Sequence, residues 1–93
     1  MQWKRPEQKA LVQALLSLKS PDETRRFLRD LMTEGEIEEF AKRLRAAEML
    51  SENVPYTEIE KTTGLSSTTV ARVSKWLKGK GGGYRTVLSR LHR

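Results

Sequence analysis

Residues 56–77 read YTEIEKTTGLSSTTVARVSKWL, and a single glycine in this stretch decides how the chain folds. Ile59, Leu65, Val70, Val73 and Leu77 are the apolar positions, and Gly64 falls where one short helix must end before another begins. Glycine adopts the left-handed conformation without steric cost, which lets two helices meet at a steep angle. Thr57 with Glu60 has the spacing of a capping box for the first helix, and Ser66 is placed to cap the second. In the second helix Val70, Val73 and Leu77 recur at three and four residues and share one inward face.

The other face of that helix carries the chemistry. Ser66, Ser67, Thr68 and Ala71 are small, and Arg72 and Lys75 follow. Small side chains let a helix approach base edges closely, hydroxyls and N-terminal amides suit phosphate oxygens, and arginine pairs with guanine in the major groove. The plain alternative is an amphipathic helix pair with an ordinary polar surface. Charge favours the first reading. Residues 1–55 hold ten Lys/Arg and ten Asp/Glu, whereas residues 56–93 hold eight Lys/Arg against Glu58 and Glu60 alone. The whole net charge of +6 therefore lies in the half that contains the two helices. An uncompensated basic block there is the footprint of a polyanion partner, and Lys78 and Lys80 extend it.

Working outward, Pro6 to Leu18 reads as a first helix, with Leu11, Ala14, Leu15 and Leu18 on one face and Val12 and Leu16 off it. A helix with two apolar sides needs two neighbours, and in a chain of 93 residues another subunit is one candidate for the second. Ser20, Pro21 and Glu23 give a strong helix start, with Phe27, Leu28, Leu31 and Met32 inward and Arg25, Arg26 and Arg29 on a solvated face. Thr33 and Glu36 repeat the capping pattern for a third helix from Glu34 to about Ser51, striped by Ile37, Phe40, Ala41, Leu44, Ala47 and Leu50. Pro55 blocks its continuation. Beyond Leu77, Gly81, Gly82 and Gly83 read as a flexible connector, and Tyr84 to Leu91 as a short last helix with Val87, Leu88 and Leu91 apolar and Arg85 and Arg90 exposed. The glycines lack the strand and the GK[ST] ending of a nucleotide-binding loop.

The segments SPDETRRFLRDLMTEGEIEEFAKRLRAAEML, YTEIEKTTGLSSTTVARVSKWL and GGGYRTVL together resemble the Trp-repressor superfamily, and more narrowly its bacterial YerC/YecD family. The resemblance runs from about Leu15 to Leu88, and GGGYR is its most specific piece. It implies an all-α fold: an intertwined homodimer whose N-terminal helices build a common core, with a helix-turn-helix projecting from each subunit. One domain then fills residues 1–93, with a dimerisation core over about 6–55, the helix-turn-helix over 56–78 and the glycine-rich connector and last helix over 79–93. The implied function is a transcriptional regulator, a repressor, that binds double-stranded DNA at sites of two-fold symmetry, its heads one helical turn apart, roughly 34 Å. The DNA-contacting set is Ser66, Ser67, Thr68, Ala71, Arg72, Lys75, Lys78 and Lys80.

The resemblance also implies an effector pocket, for which Lys42, Arg45, Thr69 and Arg72 are the candidates. In the repressor a glycine after the recognition-helix arginine leaves room for the indole of tryptophan. Here Val73 follows Arg72, and Lys42 lies near where a second arginine is expected, so tryptophan is not expected to bind. Glu60 departs from the small residue usual between such helices; a cap at Thr57 or a pair with Lys61 would satisfy it.

An alternative function is a protein- or RNA-interaction module built on the same basic helices, against which stands the shortage of aromatic residues for stacking, with only Tyr56, Trp76 and Tyr84 in the basic half. Catalysis has little support. There is no cysteine, His92 is the lone histidine and an expected tail residue, and no cluster has metal or acid-base spacing. No cofactor, no metal and no membrane partner are expected, and the opening MQWKRPEQKA lacks a signal-peptide core, which makes a cytoplasmic location the default expectation.

Overall fold

Six helices make up the described residues, 1–92, of the computed structural model, with no strand among them: α1 (Pro6–Leu16), α2 (Pro21–Leu31), α3 (Glu34–Ser51), α4 (Tyr56–Thr63), α5 (Ser67–Lys78) and α6 (Gly83–Leu91). Two compact units divide the chain after Ile37.

In the first unit the helix boundaries follow from caps. Pro6 opens α1, and the helix stops at Leu16, two residues before the expected end, where the Ser17 hydroxyl donates back to the Ala14 carbonyl at 2.6 Å. Pro21 keeps the preceding Ser20 in extended backbone, which forces the chain out of helix between the two elements. Ser20 Oγ accepts from the Glu23 amide at 3.1 Å, while the Glu23 carboxylate reaches past the cap to the Lys19 amide at 3.0 Å. Thr33 and Glu36 form a reciprocal capping box, with the Thr33 amide donating to the Glu36 carboxylate at 2.9 Å and the Glu36 amide to Thr33 Oγ1 at 3.1 Å. The Thr33 amide, and after it the Thr33 hydroxyl, hold the Glu36 carboxyl below its ordinary pKa. No residue of α1 or α2 is fully buried, and Leu16 is 72% exposed.

All nine buried apolar residues belong to the second unit: Ala46, Ala47, Met49, Ile59, Leu65, Val70, Val73, Leu77 and Leu88, with Leu50, Val54 and Tyr84 packed against them. Ile59 and Val70 are its largest fully enclosed side chains, each contributing about 1.5–3 kcal/mol by burial. The inward side of α3 therefore differs from the expected stripe. Alanines 46 and 47 and Met49 are covered, whereas Phe40 and Leu44 stay 43% and 37% exposed, the Phe40 ring carrying the Arg43 guanidinium 5.5 Å from its centre.

The end of α3 is set before the proline is reached. Asn53 takes a left-handed conformation (φ 63°), its amide bonds to the Leu50 carbonyl at 3.0 Å, and the Val54 amide bonds to the Met49 carbonyl at 3.1 Å. This Schellman pair satisfies the last carbonyls while Val54 and Met49 share the apolar cluster. Pro55 then serves as the N-cap of α4, with φ −62° and ψ 147° and no side-chain cap. The expected Thr57–Glu60 box does not form, because a start at Tyr56 leaves Thr57 already inside the helix. Glu60 is half-buried and has no ion pair with Lys61 among the described residues.

Candidate nucleic-acid interface

The corner between α4 and α5 is built from three adjacent residues. Gly64 is left-handed (φ 76°) and its amide closes α4 onto the Glu60 carbonyl at 2.8 Å. An added Cβ would meet nothing within 4 Å, so the glycine is required by backbone conformation rather than by space. Thr63, buried, ties the corner with its hydroxyl: Oγ1 donates to the Ile59 carbonyl at 2.7 Å and accepts from the Leu65 amide at 3.2 Å. Leu65 is then driven into the core, and Ser66 opens α5 by accepting from the Thr69 amide at 3.2 Å.

With Val70, Val73, Ser74 and Leu77 turned inward, Ser67, Thr68, Ala71, Arg72, Lys75, Trp76 and Lys78 are exposed along α5. Ser67 and Thr68 stand at the first turn, which carries no acidic residue, and their amides lie before the first intrahelical bond, from Val70 to the Ser66 carbonyl. Arg72, Lys75 and Lys78 make no ion pair among the described residues. Lys80 is exposed too, but it lies beyond the helix end at Gly79 and outside the row. Ser66 is more occupied than the rest, since besides capping α5 its hydroxyl donates to Thr69 Oγ1 at 3.0 Å. The arrangement presents small polar groups and helix-start amides at one end and unpaired cations at the other, a surface suited to an anionic backbone.

The four residues suggested for an effector pocket share no hydrogen bond with one another. Lys42 is exposed, Arg45 pairs with Glu48, Thr69 accepts from Ser66, and Arg72 points outward. Val73, 3% exposed, lies in the core. Glu48 is held below its ordinary pKa chiefly by the hydrogen bond from Arg45, and it also meets His92 Nε2 at 2.7 Å. His92 is thus exposed, as expected of a tail residue, yet tied to α3. Among the described residues no three His, Cys, Asp or Glu side chains form a metal-binding group, and no helix is long and apolar enough to cross a membrane.

Two residues that position α5 were not legible from composition or periodicity. Thr63 reads as a surface helix residue until its place just before the turn glycine is noticed. Arg85 is exposed, as expected, and also donates from Nη1 to the Leu77 carbonyl at 2.5 Å. Its signal is the glycine run before it: Gly82 is left-handed (φ 70°) and is the N-cap of α6.

The family model described as Trp repressor protein matches residues 6–92. The uncharacterized protein YerC of Bacillus subtilis is 41% identical over 81 residues, which cover 87% of this chain and 78% of that protein. A crystal structure of a TrpR-like protein from Eubacterium eligens superposes with a TM-score of 0.90 at 38% identity, over 96% of this chain and 92% of the other. A Trp-repressor candidate from Staphylococcus aureus superposes at 0.89 with 30% identity, over 96% and 89% of the two chains.

Proposed function

From the premise that the chain belongs to the Trp repressor family, we propose that it is a DNA-binding transcriptional regulator that works as a homodimer and places α5 of each subunit in a major groove. The observation that carries the reading is the outer row of α5: Ser67, Thr68 and Ala71, which permit close approach, followed by Arg72, Lys75 and Lys78 without a carboxylate partner. Ser67 and Thr68 take phosphate at the helix start, Arg72 reads a base, and Lys75, Lys78 and Lys80 neutralise the backbone. Ser66 serves first as the cap that sets the helix start.

The dimer is supported by apolar surface that the single chain leaves open. Leu11, Val12, Leu15 and Leu16 on α1 and Phe40 and Leu44 on α3 are all exposed. Burial of these residues between two copies would supply the core that residues 1–45 lack, and would set two copies of α5 at a fixed spacing. The regulator acts as a repressor by occupying its site. Tryptophan is not its effector in this reading, because buried Val73 follows Arg72 where the resemblance to the repressor calls for glycine.

Selection of bound sequences from a random duplex pool tests the reading. Enriched sites with two-fold symmetry and half-sites about one helical turn apart support it, and a pool that shows no enrichment, or equal retention of RNA, opposes it. With about six phosphates neutralised per dimer, log affinity should fall against log salt with a slope of about −5.

A further inference from the structure

We propose that Arg85 is a positioning residue for DNA binding, which clamps the C-terminal end of α5 from the first turn of α6 and so holds Lys75 and Lys78 in place. The inference rests on the reading of α5 as the DNA-contacting helix, and it gives the GGGYR segment a purpose that neither a phosphate cradle nor a loose tether supplies.

Four observations converge. First, α5 ends without a left-handed cap: Gly79 is extended (φ −74°, ψ 176°), and its amide reaches only the Trp76 carbonyl, at 3.3 Å. The Leu77 carbonyl lies past the last helical amide and needs a donor from elsewhere. Second, Arg85 Nη1 provides that donor at 2.5 Å from eight residues further along the chain. A guanidinium there is also a cation at the negative end of the helix dipole. Third, the reversal that brings Arg85 back depends on Gly82. Its φ of 70° is one that other residues rarely adopt, and a Cβ there would meet Arg85 Nη2 only at van der Waals distance, 3.4 Å, so the glycine is required by the backbone turn. Fourth, the end so held is the cationic one, since Lys75 and Lys78 lie in the last turn of α5. Leu77 is buried between them in sequence, so a clamp on its carbonyl fixes the turn from which both lysines project.

A cation at this position serves the proposed function better than a neutral cap. It satisfies the carbonyl with a charge-assisted bond and adds to the positive surface rather than diluting it.

The test uses the full chain with Arg85→Ala and Arg85→Lys, read in two ways. Without DNA, hydrogen exchange of the Lys78 and Gly79 amides should be about tenfold faster in Arg85→Ala than in wild type, with Arg85→Lys in between and amides of α4 unchanged. With the selected duplex, Arg85→Ala should bind about tenfold more weakly and its salt slope should lose about 2, the contribution of one lysine per subunit. Adding Lys78→Ala to Arg85→Ala should then cost less than Lys78→Ala alone. Unchanged exchange at the end of α5 overturns the proposal, and so does weaker binding with no change in exchange, which would make Arg85 a direct phosphate contact. If Arg85→Ala does not fold, the same exchange comparison in Arg85→Lys decides. Were wild-type protein to leave duplex DNA unbound, the DNA reading would fall while the exchange measurement still judged the clamp.

Discussion

Replacing Thr63 by valine removes one oxygen from the corner between α4 and α5 while keeping the β-branched shape. The two bonds lost are unequal. The Ile59 carbonyl, which receives the Thr63 hydroxyl at 2.7 Å, lies inside α4 and keeps its helical donor, so that loss is small. The Leu65 amide, whose bond to Thr63 Oγ1 is 3.2 Å long, sits in a residue only 7% exposed and has no other partner among the described residues. Leaving a buried amide unsatisfied costs about 1–3 kcal/mol. For a domain of this size about 1 kcal/mol shifts the melting temperature by about 4–8 °C. Chemical denaturation at one fixed protomer concentration should therefore show a lower midpoint with an unchanged slope, because the loss is local and leaves the area exposed on unfolding alone. Thr62→Val, at an exposed neighbouring position, is the control and should stay within about 0.5 kcal/mol. If Thr63→Val proved as stable as Thr62→Val, the corner would not depend on this hydroxyl and the reasoning would fail.

Gly64→Ala should destabilise by about 1–2 kcal/mol through backbone strain alone, since space is open around the position; denaturation with no loss would refute the conformational argument. Glu36 is held below its ordinary value of 4.5 by its bonds to Thr33, so the stability it contributes is present above that pH and is lost as pH falls through the lower, folded value. The deficit of Glu36→Ala relative to wild type should accordingly shrink on acidification below 4.5, and a deficit independent of pH would rule out the carboxylate as its source. Calorimetric titration with tryptophan should give no binding; micromolar affinity would show that Val73 does not fill the site. Arg72→Ala should weaken binding to the selected duplex by about 1–3 kcal/mol and relax preference at one base pair, with thermal stability unchanged.

Where a helix is started by a side chain, its boundary was legible in the sequence, as at Ser20, Thr33 and Ser66. The turn glycine and the inward triad of Val70, Val73 and Leu77 were legible for a similar reason, since each expresses a local rule of conformation or periodicity. Thr57 misled because its spacing to Glu60 fits a capping box, while the true start is decided by the Schellman end of α3 and by Pro55, which put Thr57 two residues past the N-cap. The α3 stripe was half legible. Ala47 and Leu50 pack in the cluster, but Phe40 and Leu44 obey the same periodicity and stay exposed, and periodicity carries no information about what supplies a covering surface. Arg85 was legible only through the glycine run before it, because its partner is a main-chain carbonyl eight residues away that no residue type names. The outer row of α5 was read correctly as exposed, yet the commitment of Ser66 and Thr69 to each other became apparent only from their geometry.

The central claim, two copies of α5 held by one dimer against one duplex, is tested most directly by sedimentation equilibrium of the protein with its selected site. The account predicts a single complex with the mass of the duplex plus two chains of 10.7 kDa, formed from a protein that is already a dimer when free. A free monomer that adds one chain per duplex, or no complex at all, would contradict it.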